Sequence, residues 1–212
     1  TKGNSSHKNT PTVVKGLTDV QAVSLGSDHS CALKTGGTVL CWGRNEYGQL
    51  GDGTHGKLAA KTAPTAVKGL ADVVAIAAGG AHTCALKPGG TVVCWGRNDF
   101  GAVGDGSTTH KKTAPAQVAG INTAKAISAG FGHACAVKAN GQARCWGDNL
   151  HGQLGDGSTG AKSNKKTPSE VSGLGDVAAI SAAQDHSCAL RSDGTAACWG
   201  RNDNGRLGSD GT

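Results

Sequence analysis

Short apolar runs, separated by glycine-rich turns, recur along the chain and have the character of β-strands. Residues 20–25 form a short run that is rich in β-branched side chains and bounded by glycine. Two more runs, 30–34 and 38–42, follow at once, and a weaker one, 12–15, precedes them. No run has the length and the 3.6-residue period of a helix, so the pattern predicts an all-β protein built from short strands.

This set of runs occurs four times. The tripeptide Cys-Trp-Gly recurs at spacings of 53, 51 and 53 residues, with His-x-Cys-Ala upstream and a glycine-rich turn downstream of each copy. Four short strands in each repeat are typical of a propeller blade. We therefore predict four blades that form a partial or open propeller, or part of a larger ring. The four repeats cover 1–54, 55–107, 108–158 and 159–212.

A tight turn joins the second and third runs of each repeat, and its length decides which residues face each other. A two-residue type I′ turn is possible, but Pro88 favours a three-residue loop, because proline suits the first central position of a type I turn. That loop places Cys31 directly opposite Cys41, at the Cα separation that a disulfide needs. The same register predicts three further disulfides, namely Cys84–Cys94, Cys135–Cys145 and Cys188–Cys198.

Zinc binding by His29, Cys31 and Cys41, or buried free thiols, are the alternatives for these cysteines. No candidate for a fourth ligand recurs in every repeat, so disulfides are favoured over a metal site. Four disulfides belong in an oxidising compartment. We therefore predict that the protein is secreted, extracellular or at the cell surface, with the periplasm as a further possibility.

The repeated motifs resemble those of the RCC1 (regulator of chromosome condensation) repeat family. His-Ser/Thr-x-Ala-Leu and Trp-Gly-x-Asn-x-x-Gly-Gln-Leu-Gly carry the resemblance, which covers all four repeats. It implies a β-propeller of four-stranded blades, typically seven, in a family that includes exchange factors for a small GTPase, domains of ubiquitin ligases and a secreted bacterial β-lactamase inhibitor. This chain differs in its four repeats, its two cysteines per repeat, and Ala183, which stands where the other repeats have Gly26, Gly79 and Gly130.

Two other recurring residue types allow both a functional and a structural interpretation. The tryptophans form either a carbohydrate-stacking platform or the packing between blades, and the scarcity of other aromatic residues favours packing. The aspartates of the Gly-Asp-Gly turns either bind calcium or stabilise the turns, and a single carboxylate per turn favours the second. These residues are Trp42, Trp95, Trp146 and Trp199, and Asp52, Asp105 and Asp156.

Motifs of catalysis are absent from the sequence. There is no Gly-x-Ser-x-Gly, no phosphate-binding loop and no His-Glu-x-x-His, and the histidines recur once per repeat, as structural residues do. We therefore expect no catalytic residue, no cofactor and no bound metal, in a protein that is not an enzyme.

The connectors that follow the glycine-rich turns contain lysine and no acidic residue. They are either solvated loops or a positively charged rim that meets an acidic protein surface or a polysaccharide, and the net charge of +6 permits such a partner. The candidate binding rim consists of Lys57, Lys61, Lys111, Lys112, Lys162, Lys165 and Lys166.

These observations favour a non-enzymatic, secreted scaffold that binds a protein or a glycan. The alternative is a structural subunit or segment of an extracellular filament or surface assembly. A guanine-nucleotide exchange factor has less support, because the nucleus keeps thiols reduced. Nucleic acid is not an expected partner.

The chain has no methionine and no apolar run of about 18 residues. We therefore interpret it as a processed piece of a longer precursor that does not span a membrane. An open arc of blades exposes an apolar face at each end, so we expect the outer blades to meet further RCC1-like repeats, in the same chain or in a neighbouring copy.

Overall fold

The computed structural model describes residues 7–209, which form four antiparallel sheets and two single-turn 3-10 helices, Pro88–Gly90 and Asp203–Gly205. This confirms the all-β prediction. Within the same residues, no helix is long and apolar enough to cross a membrane. The strands are β1 (Val20–Leu25), β2 (His29–Lys34), β3 (Val39–Gly43), β4 (Lys61–Ala66), β5 (Ala75–Ala78), β6 (His82–Leu86), β7 (Val92–Arg97), β8 (Lys111–Gln117), β9 (Ala124–Ala129), β10 (His133–Lys138), β11 (Ala143–Gly147), β12 (Lys165–Glu170), β13 (Val177–Ala182), β14 (His186–Arg191) and β15 (Ala196–Gly200).

Each sheet is one propeller blade, and the blades are out of phase with the sequence repeats. Blades 1, 2 and 3 are β1–β4, β5–β8 and β9–β12, and blade 4 has β13–β15 within the described residues. The fourth strand of each complete blade comes from the next repeat: β4, for instance, pairs with β3 but belongs to the second repeat. The predicted strand at 12–15 is wrong: the segment is not a strand, and although its first residues align with the end of β4, residues 7–209 contain no third strand beside it.

The hairpin in each blade has the predicted register. In blade 1, His29 lies opposite Gly43 and Cys31 opposite Cys41, which confirms the three-residue loop. The turn within that loop varies between blades. Gly36 and Gly89 have φ of 90° and 79° at its second position, which fits a type II turn better than the type I turn that we inferred from proline.

The four predicted disulfides are confirmed. The paired Cα atoms are 4.0 to 4.1 Å apart, and the described residues include no free cysteine. Each bond closes the hairpin between the second and third strands of its blade, with a sequence separation of 10. By the chain-entropy argument, a loop of that size stabilises the folded state by roughly 2–3 kcal/mol.

The core lies between blades. Trp95 and Trp146 are fully buried, and each indole Nε1 donates a hydrogen bond of 2.9 Å to a carbonyl of the preceding blade's glycine-rich turn, Gln49 O and Ala102 O. Trp199 donates in the same way to Gln153 O. The prediction that the tryptophans pack between blades is therefore confirmed for Trp95, Trp146 and Trp199, whereas Trp42 is half-buried in blade 1 and has no preceding blade within residues 7–209.

The blades form an open arc. The first strands of successive blades, β1, β5, β9 and β13, are in contact in that order and so lie nearest the propeller axis. The sheets do not close into a ring within residues 7–209. Blade 1 and blade 4 are therefore the ends of the described arc, and blades 2 and 3 have a neighbour on both sides.

Candidate functional site

The loops between the first and second strands of the blades meet around the axis. These axial loops are joined by backbone hydrogen bonds from one blade to the next: Ser27 N donates to Gly80 O (3.3 Å), Gly80 N to Gly130 O (3.1 Å) and Phe131 N to Ala183 O (3.1 Å). These main-chain hydrogen bonds fix the positions of the axial loops relative to one another. The axial loops are 26–28, 79–81, 130–132 and 183–185.

The axial loops line an open concavity of about 390 Å³. Its wall carries no charged side chain and is formed largely by glycine and alanine, with Leu25, Phe131 and Gln184 as the large side chains. Such a wall offers main-chain groups and apolar surface to a ligand.

Glycine at the start of the axial loops is required by close packing. A Cβ atom on Gly79 would lie 2.3 Å from Cε1 of His82 and 2.4 Å from the carbonyl oxygen of Gly130 in the next blade. Gly26 and Gly130 are equally confined, each against the carbonyl oxygen of the next blade's corresponding residue. Ala183 occupies this position in blade 4, where the described residues contain no following blade.

Beside the concavity lies an aromatic ridge, formed by Tyr47, Arg97, Phe100 and Phe131. The guanidinium carbon of Arg97 is 5.0 Å from the centre of the Tyr47 ring and 5.4 Å from that of Phe100, within the range of cation–π contacts. Phe131, whose exposed fraction is 47%, lines a narrow crevice with Arg97 and Phe100 and also lines the concavity. The ridge thus connects blades 1, 2 and 3.

The ridge contains every tyrosine and phenylalanine of the chain, one and two residues respectively. Sequence reasoning missed it, because the three rings come from loops that are far apart in the sequence. One signal was available: Phe131 stands where the other repeats have Ser27, Gly80 and Gln184. The Phe131 ring packs over Gly80 of blade 2, yet the residue keeps an exposed fraction of 47%, so it adds apolar surface to the axial face that the other repeats lack.

The ridge is held in place by a carboxylate. Arg97 Nε donates to Asp99 Oδ2 (2.5 Å), and His110 Nδ1 lies 3.0 Å from Asp99 Oδ1. Burial raises the pKa of Asp99, but the hydrogen bonds from Arg97 and His110 outweigh it and hold the pKa below its usual value. Asp99 therefore stays ionised and orients Arg97 against the two rings.

The recurring histidines are structural. His29 Nε2 lies 2.8 Å from Thr83 Oγ1 in the next blade, and His133 Nε2 lies 2.8 Å from Ser187 Oγ. His82 is the exception, because Ala134 occupies the corresponding position and the buried Nε2 of His82 has no hydrogen-bond partner among the described residues.

Burial dominates the protonation of these histidines. It lowers the pKa of His29 to about 4 in spite of the opposing charge of Asp28, that of His82 to about 4, and that of His133 to about 3. The three imidazoles are therefore neutral at physiological pH, and none has the exposure that a general base or a nucleophile's partner needs.

The lysine rim divides into two groups. Lys61, Lys112 and Lys165 form ion pairs with the aspartates of the glycine-rich turns: Lys61 with Asp52 (3.4 Å), Lys112 with Asp105 (2.8 Å) and Lys165 with Asp156 (3.4 Å). Among the ion pairs of residues 7–209, none involves the other four lysines, and these four are exposed. They are Lys57, Lys111, Lys162 and Lys166.

The turn aspartates are fully engaged in local bonds. Asp52 Oδ1 accepts hydrogen bonds from Thr54 N (2.9 Å) and Asn45 Nδ2 (3.1 Å) while Lys61 approaches Oδ2. Burial raises the pKa of Asp52, but the bonds from Thr54, Asn45 and Lys61 more than offset this and lower it below the usual value. This geometry supports the interpretation that the aspartates stabilise the turns.

The four repeats are similar in sequence to those of known proteins. The model of the RCC1-like domain matches residues 1–212. Human HERC4, described as a probable E3 ubiquitin-protein ligase, is 34% identical over 209 residues, which are 95% of this chain and 19% of HERC4. The ultraviolet-B receptor UVR8 of Arabidopsis thaliana is 33% identical over 196 residues, or 89% of this chain and 43% of UVR8.

A solved structure gives the same result. Yeast RCC1 (Prp20), determined in complex with Kap60, superposes with a TM-score of 0.75 at 26% identity, covering 90% of this chain and 45% of the yeast chain. This chain therefore spans less than half the length of each of these relatives.

Proposed function

This chain belongs to the RCC1-like domain family, and from that premise we propose that it is a non-enzymatic, secreted scaffold that binds a partner protein through its axial face. The binding surface consists of the aromatic ridge and the adjoining concavity. Secretion is supported by the four disulfides, which persist in oxidising compartments. The absence of an enzymatic role is supported by the buried, neutral histidines.

The aromatic ridge is the observation that carries this proposal. Tyrosine, phenylalanine and arginine are enriched at protein interfaces, and arginine and tyrosine are frequent among the residues that dominate binding energy. Here the Asp99 carboxylate and the rings of Tyr47 and Phe100 hold Arg97 in one position before any partner binds. A pre-ordered surface loses little side-chain entropy on binding. Yeast RCC1, which shares the fold, has been determined bound to another protein, Kap60.

The experiment uses residues that other blades have at the same positions, so that the fold is preserved. The variant Phe100→Asn/Phe131→Gln replaces each ring by the residue that blade 4 has at the corresponding position, Asn204 for Phe100 and Gln184 for Phe131. Leu58→Asn, at an exposed leucine of a connector, is the matched control. Proteins captured by the wild-type chain from the culture medium of the source organism are purified, and their affinities for the three versions are measured.

We expect the ridge variant to bind the captured protein roughly thirtyfold more weakly, as for the loss of a residue worth about 2 kcal/mol, and the control to bind normally. Equal binding by all versions would refute the role of the ridge. Retention of glycans instead of proteins would favour the glycan-binding alternative.

A structural role in an extracellular filament or surface assembly is a second candidate, which the disulfide in each of the four described blades favours, because such cross-links persist in oxidising compartments. Negative-stain microscopy of the native protein distinguishes the two, because a scaffold of this kind gives discrete particles and a structural subunit gives filaments or sheets.

A further inference from the structure

Four residues at the end of the third strand of each blade, which we call the tetrad, lie on the same side of the blade as its axial loop. The first and third strands are both antiparallel to the second, so the loops that follow them emerge on one side. The tetrads of blades 1 and 2 supply three of the four ridge residues, namely Tyr47, Arg97 and Phe100. The tetrads are 44–47, 97–100, 148–151 and 201–204.

The tetrads of blades 1, 2 and 4 neutralise their own charges. Each begins with an arginine and has a carboxylate two residues later, and the two side chains form an ion pair. In blades 1 and 4 the arginine also pairs with an aspartate of the axial loop, Asp28 (3.1 Å) and Asp185 (3.4 Å). Each tetrad carboxylate therefore has a cation of its own blade beside it. The pairs within the tetrads are Arg44–Glu46, Arg97–Asp99 and Arg201–Asp203.

The tetrad of blade 3 differs at both of these positions. Asp148 stands where the other blades have arginine, and Leu150, with an exposed fraction of 47%, stands where they have a carboxylate. Asp148 Oδ1 accepts a hydrogen bond from Leu150 N (3.2 Å). None of the ion pairs among residues 7–209 includes Asp148. Blade 3 therefore presents a carboxylate without a cation next to an exposed apolar side chain.

Asp148 also lies beside the aromatic ridge. A Cβ atom on Gly132 would be 3.5 Å from Asp148 Oδ2 and 3.5 Å from Phe100 Cδ2, so the carboxylate and the edge of the ring flank the same glycine. Gly132 and Phe100 line the crevice together with Phe131. The cation of this patch, Arg97, donates to Asp99 instead. The carboxylate thus extends a surface that is otherwise aromatic and apolar.

We propose that the ridge binds a protein segment in which a lysine or an arginine stands next to apolar residues, and that Asp148 receives the cation. The charged group of the segment lies against Asp148 Oδ2 and its aliphatic stem lies over Leu150, as long cationic side chains pack. The apolar neighbours cover Phe131. This inference rests on the proposed function and names the chemistry of the partner.

Shielding from water makes this carboxylate selective. An ion pair at an exposed site contributes little, because solvent and salt screen it. Once a partner covers Phe100, Phe131 and Leu150, the pair is shielded, and close charge pairs at interfaces couple strongly. A segment with an acidic residue at this place would be repelled, and a purely apolar one would desolvate Asp148 without compensation. Asp148 therefore favours a basic segment over both.

A displayed library of random peptides, selected for binding to the 212-residue chain, tests the proposal. We expect enrichment of peptides with a lysine or an arginine beside an apolar or aromatic residue. The enriched peptides are synthesised, together with versions in which glutamine replaces the basic residue. Their affinities are then measured for the wild type and its variants at low and at high salt.

Asp148→Asn should weaken binding of the basic peptides about tenfold and reduce its dependence on salt. Asp148→Arg/Leu150→Asp, which gives blade 3 the tetrad residues of blade 2, should weaken it a hundredfold or more, because like charges then meet. Glu170→Gln is the matched control. It removes the same charge from blade 3 at the other end of the sheet, where Glu170 pairs with Arg144.

The glutamine peptides should bind the wild type about tenfold more weakly and should bind Asp148→Asn no worse than the basic peptides do, because the two changes remove one interaction. Unchanged thermal unfolding of Asp148→Asn separates lost binding from lost folding. Independent effects of the two changes, or a selection that enriches no basic peptide, would overturn the proposal.

The ridge variant Phe100→Asn/Phe131→Gln separates this inference from the proposed function. Peptides that the ridge variant no longer binds, but that Asp148→Asn binds as the wild type does, would overturn the role of Asp148 and leave the ridge as a binding surface. Peptides that depend on Asp148 but not on the two rings would support the cation site and refute the ridge.

Discussion

The inner blades, 2 and 3, and the outer blades, 1 and 4, repeat the same motifs in different surroundings. Trp95 and Trp146 in the inner blades are fully buried, whereas Trp42 and Trp199 in the outer blades are half-buried. The cysteine pairs of blades 1 to 3 are buried, but that of blade 4 is only partly so. The residues within a blade therefore determine its strands. The blades on either side determine how far its core is shielded from solvent, as expected for a repeat array.

The largest difference should appear at the tryptophans. Trp95→Ala removes a side chain packed on both sides together with the hydrogen bond to Gln49 O, and we expect it to lower the free energy of unfolding by about 3–5 kcal/mol. Trp42→Ala should cost clearly less in this 212-residue chain, because Trp42 is only half-buried and residues 7–209 contain no blade in front of blade 1. Urea denaturation of both variants measures the difference; equal losses would contradict the comparison.

The buried histidines should make the inner interfaces sensitive to acid. Their pKa values are lowered in the folded state, so the unfolded chain, with histidine pKa near 6.5, binds more protons below that pH. The contribution that these neutral, buried histidines make to the free energy of unfolding is fully present above pH 6.5. It is lost as the pH falls towards 4, by at most about 1.4 kcal/mol per pH unit for each histidine.

Urea midpoints between pH 7 and pH 5 test this, because most carboxylates stay ionised in that window. The variant His82→Gln should reduce the slope. A stability that does not change over the window would show that the imidazoles are not buried as described.

The disulfides should differ between inner and outer blades by a smaller amount. Cys84→Ser/Cys94→Ser and Cys188→Ser/Cys198→Ser each open a loop of the same length, which costs roughly 2–3 kcal/mol. The inner pair should cost more, because it also leaves two hydroxyls in a fully buried core. Thermal unfolding of the two double variants compares them. Intact mass after alkylation without reduction should show no label on the wild type.

The lysine rim should show the smallest effect on stability. Lys111→Gln/Lys166→Gln alters exposed residues and should change the free energy of unfolding by less than about 0.5 kcal/mol, while Lys112→Gln/Lys165→Gln also removes two ion pairs and should cost up to about 1 kcal/mol for each. If the rim binds polyanions, the first variant should bind dextran sulfate more weakly and with less dependence on salt. Unchanged binding at low salt would leave the rim as solvated loops.

The features that depend on local pattern were predictable from the sequence. The runs at 20–25, 30–34 and 38–42 became β1, β2 and β3, and the turn residues were enough to place Cys31 opposite Cys41. Both follow from side-chain alternation and loop length, which act within one hairpin.

The features that depend on neighbouring blades were not predictable in this way. The fourth strand of a blade lies in the next repeat, so the pattern at 12–15 looked like a strand although its partner is missing from the described residues. The ridge brings together Tyr47, Phe100 and Phe131 through the curvature of the arc. The sequence did not predict the ion pair between Lys61 and Asp52, because the connector itself has no acidic residue and Asp52 lies in the glycine-rich turn before it.

The offset between repeats and blades has a consequence for proteolysis. The exposed connector around Lys57 invites cleavage by a protease that cuts after lysine. Such a cut falls between β3 and β4 and so divides blade 1 between two fragments. The fragments would nevertheless stay together, because β4 on one remains paired with β3 on the other and the faces of blades 1 and 2 remain packed. A nicked molecule would migrate as two bands under denaturing conditions and as one particle in its native state.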